Sequence, residues 1–357
     1  ASLFNVNYQV AMIISAVVIV GYTATGGFLA ASTTDFIQSI IMSVALLVVL
    51  GFGVSVAGGF DAVIQNAQEI PGYLSMTLTH NVEENAAQPY GTLNIFSMLA
   101  WGLGYFGMPH ILLRFMAIED ENKLKLSRRV ASSWVVISLF VGVLIGVVGI
   151  AMTDVGALET LVGSDSETII VRIADLLSQN GFLCALLAGV ILAGILASTM
   201  STADSQLLAA SSSVSQNLLQ GVFKLKLSTK ASMIAARITL IVISIIAAFL
   251  AADPNSSVFN IVSFAWAGFG AAFGPVVLMA LFWKRSNRYG ALAGMISGGA
   301  MVFIWKYLVR PLGGVWNIYE LLPAFLVACA AIVIVSLLTP APEKEITDEF
   351  EKVSSMQ

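Results

Sequence analysis

The chain has 357 residues, 58% hydrophobic and only 11% charged, with a net charge of −4 and a mean hydropathy of +0.89. Soluble domains carry about 25% charged residues, so a water-facing globule is excluded, and nothing in the charge supports nucleic-acid binding. Apolar stretches of about 20 residues recur, which makes this an all-α, polytopic transmembrane helical bundle.

The chain opens at Ala1, without Met and already within an apolar pattern, which suggests a piece of a longer protein. Nine spans are predicted, near 9–28, 34–57, 92–117, 130–152, 181–207, 232–252, 258–283, 290–309 and 318–339. Between them, 61–70 ("DAVIQNAQEI") and 168–178 ("TIIVRIADLLS") have apolar residues at helical spacing. They fit either amphipathic helices on the outer face or packed loops. The tail after Pro340 is polar and expected to be mobile. Glu320 falls near the outer end of the last span, a position expected to be interfacial. Cys184 and Cys329 both lie within spans and read as small packing residues, not as a disulfide or metal pair. Asn255-Ser256-Ser257 matches a glycosylation acceptor, which chance explains in a chain with no other secretory sign.

Orientation follows from Lys and Arg. With the C-terminus inside, 14 of the 17 basic residues face the cytoplasm, leaving Arg172, Lys306 and Arg310 outside. The odd span count then puts the N-terminus outside.

The fifth span ends in "ILASTMSTADSQLL", residues 195–208, a polar cluster inside an apolar helix. At 100° per residue and with Ser198 at zero, Ser201 falls at about 300°, Thr202 at about 40°, Ser205 at about 340° and Asp204 at about 240°. Four hydroxyls therefore share one arc, with a carboxylate at its edge. Hard oxygens of this kind suit small alkali cations, although each hydroxyl could instead bond back to its own helix. Apart from Glu320 near the end of the last span, two carboxylates lie inside the spans, Asp35 and Asp204. An ionised acid near the bilayer centre costs at least roughly 2.5–3.5 kcal/mol, so such groups are paired or functional. Asp35, in "ASTTDF", reads equally well as a helix N-terminal residue or as a ligand.

Five stretches, "GGFLAASTTDFIQ", "WGLGYFGMPHILLRFMA", "STMSTADSQLLAASSSVSQNL", "FAWAGFGAAFGPVVL" and "GALAGMISGGAMVFIWK", resemble the solute:sodium symporter family, most closely its bacterial proline-carrying branch. The resemblance implies a LeuT-like inverted-repeat fold. Residues 1–339 would form the bundle, core helices four to ten plus two terminal helices, and 340–357 a cytoplasmic tail. Core helices one to three and a preceding peripheral helix would be missing, so these residues alone should not transport. The resemblance also implies that the Ser198 carbonyl and the Ser201 and Thr202 hydroxyls form the main sodium site. A second cation site would use Asp35, Ser201, Asp204 and Ser205; the family has a hydroxyl where this sequence has Asp204, which implies either a more strongly charged second site or a coupling acid or ion-pair partner at that position. Trp101, Tyr105 and Pro109 match positions linked to proline binding. Aromatic faces at i and i+4 can cradle an apolar ring and favour its ammonium. Gly102, Gly104, Gly107 and Pro109 would let that helix bend at a pocket.

The implied function is sodium-coupled symport of a small amino acid, L-proline first, across the plasma (inner) membrane. Its partners would be Na+, the substrate and the lipid bilayer, with no cofactor beyond the coupling ion. A symporter of the same family for pantothenate, a sugar or sialic acid is the alternative. A symporter-like sensor would need a long cytoplasmic domain after Pro340. A membrane enzyme has no Ser–His–Asp or metal-ligand pattern to support it, since the only histidines are His80 and His110.

Overall fold

The computed structural model describes residues 6–82, 84–253 and 257–355. In chain order its elements are α1 (Tyr8–Val56), α2 (Phe60–Glu69), β1 (Leu78–Asn81), β2 (Ala86–Pro89), α3 (Thr92–Leu99), α4 (Trp101–Gly104), α5 (Pro109–Met116), α6 (Leu124–Asp154), α7 (Ile169–Ser178), α8 (Phe182–Ser212), α9 (Thr229–Leu250), α10 (Val258–Phe282), α11 (Arg288–Ile304), α12 (Leu321–Leu338) and α13 (Lys344–Ser354). Polar side chains start several of them. The Asn7, Ser228, Ser257 and Asn287 side chains accept N–H bonds from the first turns of α1, α9, α10 and α11, as N-caps do.

Seven helices are long and apolar enough to cross a membrane, or eight if the pair Thr92–Gly107 and Pro109–Met116, bent by 49°, is one span. Nine were expected. α1 enters that count once although it holds two helices joined across a kink, over the predicted spans 9–28 and 34–57, 49 residues in all. At 1.5 Å per residue that is about 74 Å, more than twice a bilayer's hydrocarbon core. The helix is interrupted once, at Gly27, whose φ of 65° and ψ of −164° only glycine adopts freely. Arg237 Nε, on α9, donates to the Ala24 carbonyl at 2.9 Å, beside that interruption.

The chain divides into two compact units. The first comprises residues 1–70 and 118–256. Its core is Val49 of α1, Ile145, Val148 and Met152 of α6, Ile173 of α7 and Ile191 of α8. A Cβ on Gly194 of α8 would stand 2.7 Å from that of Ala45, so α1 and α8 touch through small residues. The segments left open between helix and loop are helices, α2 and α7. Each buries one apolar stripe, Val63 and Ala67 in α2, and Ile173, Ala174 and Leu177 in α7. Beyond α8 the chain continues as a π-helix, Ser213–Val222. The predicted span stopped at 207 because the serines there broke the apolar run. In the fold Ser211 and Ser215 are buried and bond back to Leu208 and Ser212 carbonyls.

The second unit comprises residues 71–117 and 257–357. It centres on Ala267 and Ala271 of α10, Val302 of α11, and Leu321, Ala324 and Phe325 of α12. Gly290, Gly294 and Gly298 line one face of α11, where any Cβ would meet Ser336, Ile332 or the Ala271 carbonyl. A short antiparallel hairpin pairs Leu78 with Pro89 and Asn81 with Ala86; no alternating pattern in the sequence announced it. One expectation is corrected here. Residues 344–354 of the polar tail form α13, because Ile346, Phe350 and Val353 recur at helical spacing, and Glu351 pairs with Lys284. Glu320, at the head of α12, is 1% exposed and accepts from Arg310 Nη1 at 3.1 Å. Both cysteines are half-buried and unbridged. The Asn255 acceptor lies outside the described residues.

Candidate functional site

The ion candidates all fall in the first unit and the substrate candidates all in the second.

In α8, Asp204 is fully buried, while Ser198, Ser201 and Ser205 are half-buried and Thr202 is exposed. The carboxylate placed by helical angle at the edge of the row is thus the most enclosed of the set. The reason is packing: Gly194, Ala197 and Asp204 all lie on the buried stripe of α8. The hydroxyls do bond back to their helix. Ser201 Oγ and Thr202 Oγ1 donate to the Ser198 carbonyl at 3.0 and 3.2 Å, and Ser205 Oγ donates to the Ser201 carbonyl at 2.9 Å. Back-bonding uses the hydroxyl proton and leaves the oxygen lone pairs available. The two sequence readings of these hydroxyls are therefore compatible. The Ser201 and Thr202 hydroxyl oxygens stand together at the Ser198 carbonyl, which accepts both of their protons. Hard oxygen donors of this kind fit an alkali ion.

Asp35 lies well inside α1, past Gly27, so its reading as a helix N-terminal residue fails. The threonines before it, Thr33 and Thr34, bond back to Leu29, Ala30 and Ala31 instead of capping anything. Its Oδ1 is buried.

A residue the sequence reading passed over joins these acids. Tyr22, on α1 before the interruption, donates its hydroxyl to Asp204 Oδ2 at 2.5 Å and lies within electrostatic range of Asp35. Ser205 Oγ stands 3.2 Å from Asp204 Oδ1. A buried tyrosine hydroxyl needs a partner; a lone Tyr in the apolar run 9–28 was the available signal.

In the second unit the third predicted span breaks between Gly107 and Pro109. After α4 the chain tightens to a 3₁₀ turn, Tyr105–Gly107. It extends at Met108 (φ −80°, ψ 112°) and restarts with Pro109 at the head of α5. Proline suits that position because its missing N–H would be unpaired there anyway. Trp101 stacks nearly parallel to Phe259, Trp266 and Tyr319, with centroids 5.6 to 5.7 Å apart. Tyr105 meets Trp266 edge-on at 4.8 Å and is 41% exposed. Pro109 is half-buried beyond the break. Tyr319, just before α12, is tied down by its N–H to Ser97 Oγ at 2.7 Å and by its hydroxyl to the Ser263 carbonyl at 2.7 Å. Burial, reinforced by the neighbouring Glu320 charge, pushes the Tyr319 phenol above its ordinary pKa, so it stays a neutral donor.

The model of the Sodium:solute symporter family matches residues 1–298. The osmoregulated proline transporter OpuE of Bacillus subtilis is 38% identical over 96% of this chain and 66% of its own length. The high-affinity proline transporter PutP of the same organism is 38% identical over 98% of the chain and 69% of its own. A sodium/proline symporter of Haemophilus influenzae is 38% identical over 98% and 68%. The chain thus spans about two thirds of the length of these relatives. A Na+-coupled sialic acid symporter, solved in a substrate-bound outward-open state, shares the fold at a TM-score of 0.70 and 16% identity, over 95% of this chain and 68% of that one. The apolar helices and these matches make the protein an integral membrane protein with a symporter's inverted-repeat fold, and they place it among carriers, not enzymes. By its family match and its relatives, the chain belongs to the sodium:solute symporter family.

Proposed function

We propose that the complete protein is a sodium-coupled symporter that brings a small amino acid, L-proline first, into the cell. One observation carries the reading. A fully buried carboxylate, Asp204, shares its helix with a row of oriented oxygens, in a chain whose relatives, named as proline carriers, align over nearly all of it. A buried carboxylate in an apolar bundle needs a positive partner, and a desolvated Na+ supplies one.

In this reading the Ser198 carbonyl and the Ser201 and Thr202 hydroxyls hold one Na+. Asp35, Asp204, Ser205 and Ser201 supply oxygens for a second cation. Trp101, Tyr105 and Pro109 receive the substrate, whose ring suits the aromatic surface and whose ammonium suits the ring faces. Ion binding favours the outward-open state, substrate then binds, and rocking of the bundle releases both inside. The charge bias supports an N-terminus of this chain outside and a C-terminus in the cytoplasm, in the plasma (inner) membrane.

The test is uptake of labelled proline by membrane vesicles holding the full-length protein, under an inward sodium gradient. Accumulation should collapse when sodium is replaced by choline, and excess pantothenate, glucose or sialic acid should not compete. Proline uptake indifferent to sodium refutes the coupling. Competition by one of the other solutes reassigns the substrate.

A further inference from the structure

We propose that Trp266 is a positioning residue for the substrate helix. Its indole N–H holds the backbone of the broken segment in the shape that presents Tyr105.

The argument begins with the break. Between α4 and α5 the chain passes from α-helix to a 3₁₀ turn and then to extended backbone within a few residues. The Trp101 carbonyl, on the last helical turn before that change of pitch, accepts from outside its own helix: Trp266 Nε1 of α10 donates to it at 3.0 Å. The same indole stacks on the Trp101 ring at 5.6 Å and receives the Tyr105 ring edge-on at 4.8 Å. One side chain therefore touches both aromatic residues of the proposed substrate set, and it fixes the main chain between them.

A second observation stands apart from that hydrogen bond. Gly104 lies directly under the indole, where a Cβ would meet the Trp266 ring. Gly107 lies against the α10 backbone: its Cβ would come 2.9 Å from the Gly270 Cα and from the Gly274 nitrogen. The two glycines expected only to loosen the helix thus also admit α10, and with it the indole, to the main chain. Flexibility alone would not place a ring over Gly104. Trp101, with three nearly parallel rings around it, is anchored in this packing. Tyr105 is the exposed ring of the pair. Trp101 and Trp266 accordingly set the place and tilt of Tyr105, and Tyr105 meets the solute.

The transport half of the test rests on the proposed proline reading; the structural half does not. Two variants of the full-length protein separate ring from donor: Trp266→Phe keeps a ring but loses the N–H, and Trp266→His keeps a donor on a smaller ring. The first measurement is amide hydrogen exchange over residues 99–108 in lipid nanodiscs. Exchange should accelerate in Trp266→Phe and stay nearer the parent in Trp266→His. The second is uptake of proline against its four- and six-membered ring homologues, azetidine-2-carboxylate and pipecolate, at matched surface levels.

Losing one hydrogen bond should raise the proline KM about threefold to tenfold in Trp266→Phe, with little change in turnover at saturation. Preference for the five-membered ring should narrow, and Trp266→His should recover part of it. A merely structural role would lower uptake of all three solutes alike, which overturns the proposal. So does unchanged exchange over 99–108, or an equal effect of the two variants. If exchange responds as expected but the parent does not carry proline, the positioning role stands and the substrate reading falls.

Discussion

Asp204 shows how far one side chain can be read in advance. Its type marked it, since a carboxylate in an apolar helix requires a reason. Its place did not follow from helical angle, which set it at the margin of the hydroxyl row. The fold buries it completely and seats it on Tyr22. Tyr22 illustrates the converse, for a tyrosine in an apolar run gains significance only when its hydroxyl is seen to end on a specific partner. At this scale the prediction concerns the row itself. If Ser201 and Thr202 hold Na+, Ser201→Ala or Thr202→Ala should raise the sodium concentration for half-maximal uptake by about tenfold or more, since bonds to charged groups are worth roughly 1.5–3 kcal/mol. Thr199→Ala, which removes a hydroxyl that bonds back to Ile195 from the exposed side of α8, should leave that value unchanged. Sodium titrations of uptake at saturating substrate decide it, and equal values for Ser201→Ala and Thr199→Ala would remove Ser201 from the site.

Among the elements, the connection from α11 to α12 carries a clear asymmetry. Arg310 is 43% exposed at its side chain while Glu320 is 2% exposed. The guanidinium also reaches Asn317 Oδ1 at 3.1 Å through Nε, so one cation ties both ends of the linker together. Removing the exposed partner strands the buried one. Arg310→Ala should therefore destabilise by about 3–5 kcal/mol, the usual penalty for a buried charge left unpaired. Glu320→Gln leaves a cation that water can still reach, and should cost less than half as much. Thermal unfolding of the purified variants in detergent gives the comparison; equal losses would show that the pair is not what orders the linker. The helices α2, α7 and α13 make a related point. Their apolar residues recur at helical spacing in the sequence, but whether such a stripe finds a surface to cover depends on what the fold brings beside it.

For the whole molecule the decisive prediction is thermodynamic. A symporter must couple ion to solute, and the coupling is reciprocal at equilibrium. In the full-length protein, saturating sodium should lower the Kd for proline by some factor, about 5–150-fold for typical couplings. Saturating proline must lower the Kd for sodium by that same factor. Binding measured both ways, by calorimetry or scintillation proximity, would break the proposal if proline affinity were the same with and without sodium.

The sequence alone settled the solvent of this protein, because a chain with so few charges cannot coat itself against water. It also settled the family, through motifs that spread along most of its length, and the residue types of both candidate sites. Six of the long helices were also legible, because burial in lipid demands an apolar run of fixed length. What only the tertiary structure decided was which polar groups meet. Tyr22 and Asp204 are 182 positions apart, and Trp101 and Trp266 are 165 apart; no local periodicity encodes either pair. The same holds for α1, where the place of the kink between its two helices is Gly27. Hydropathy records how much of a segment avoids water, whereas the break at Gly27 is a matter of backbone torsion. Local pattern fixes what each segment must bury, and only folding chooses against what.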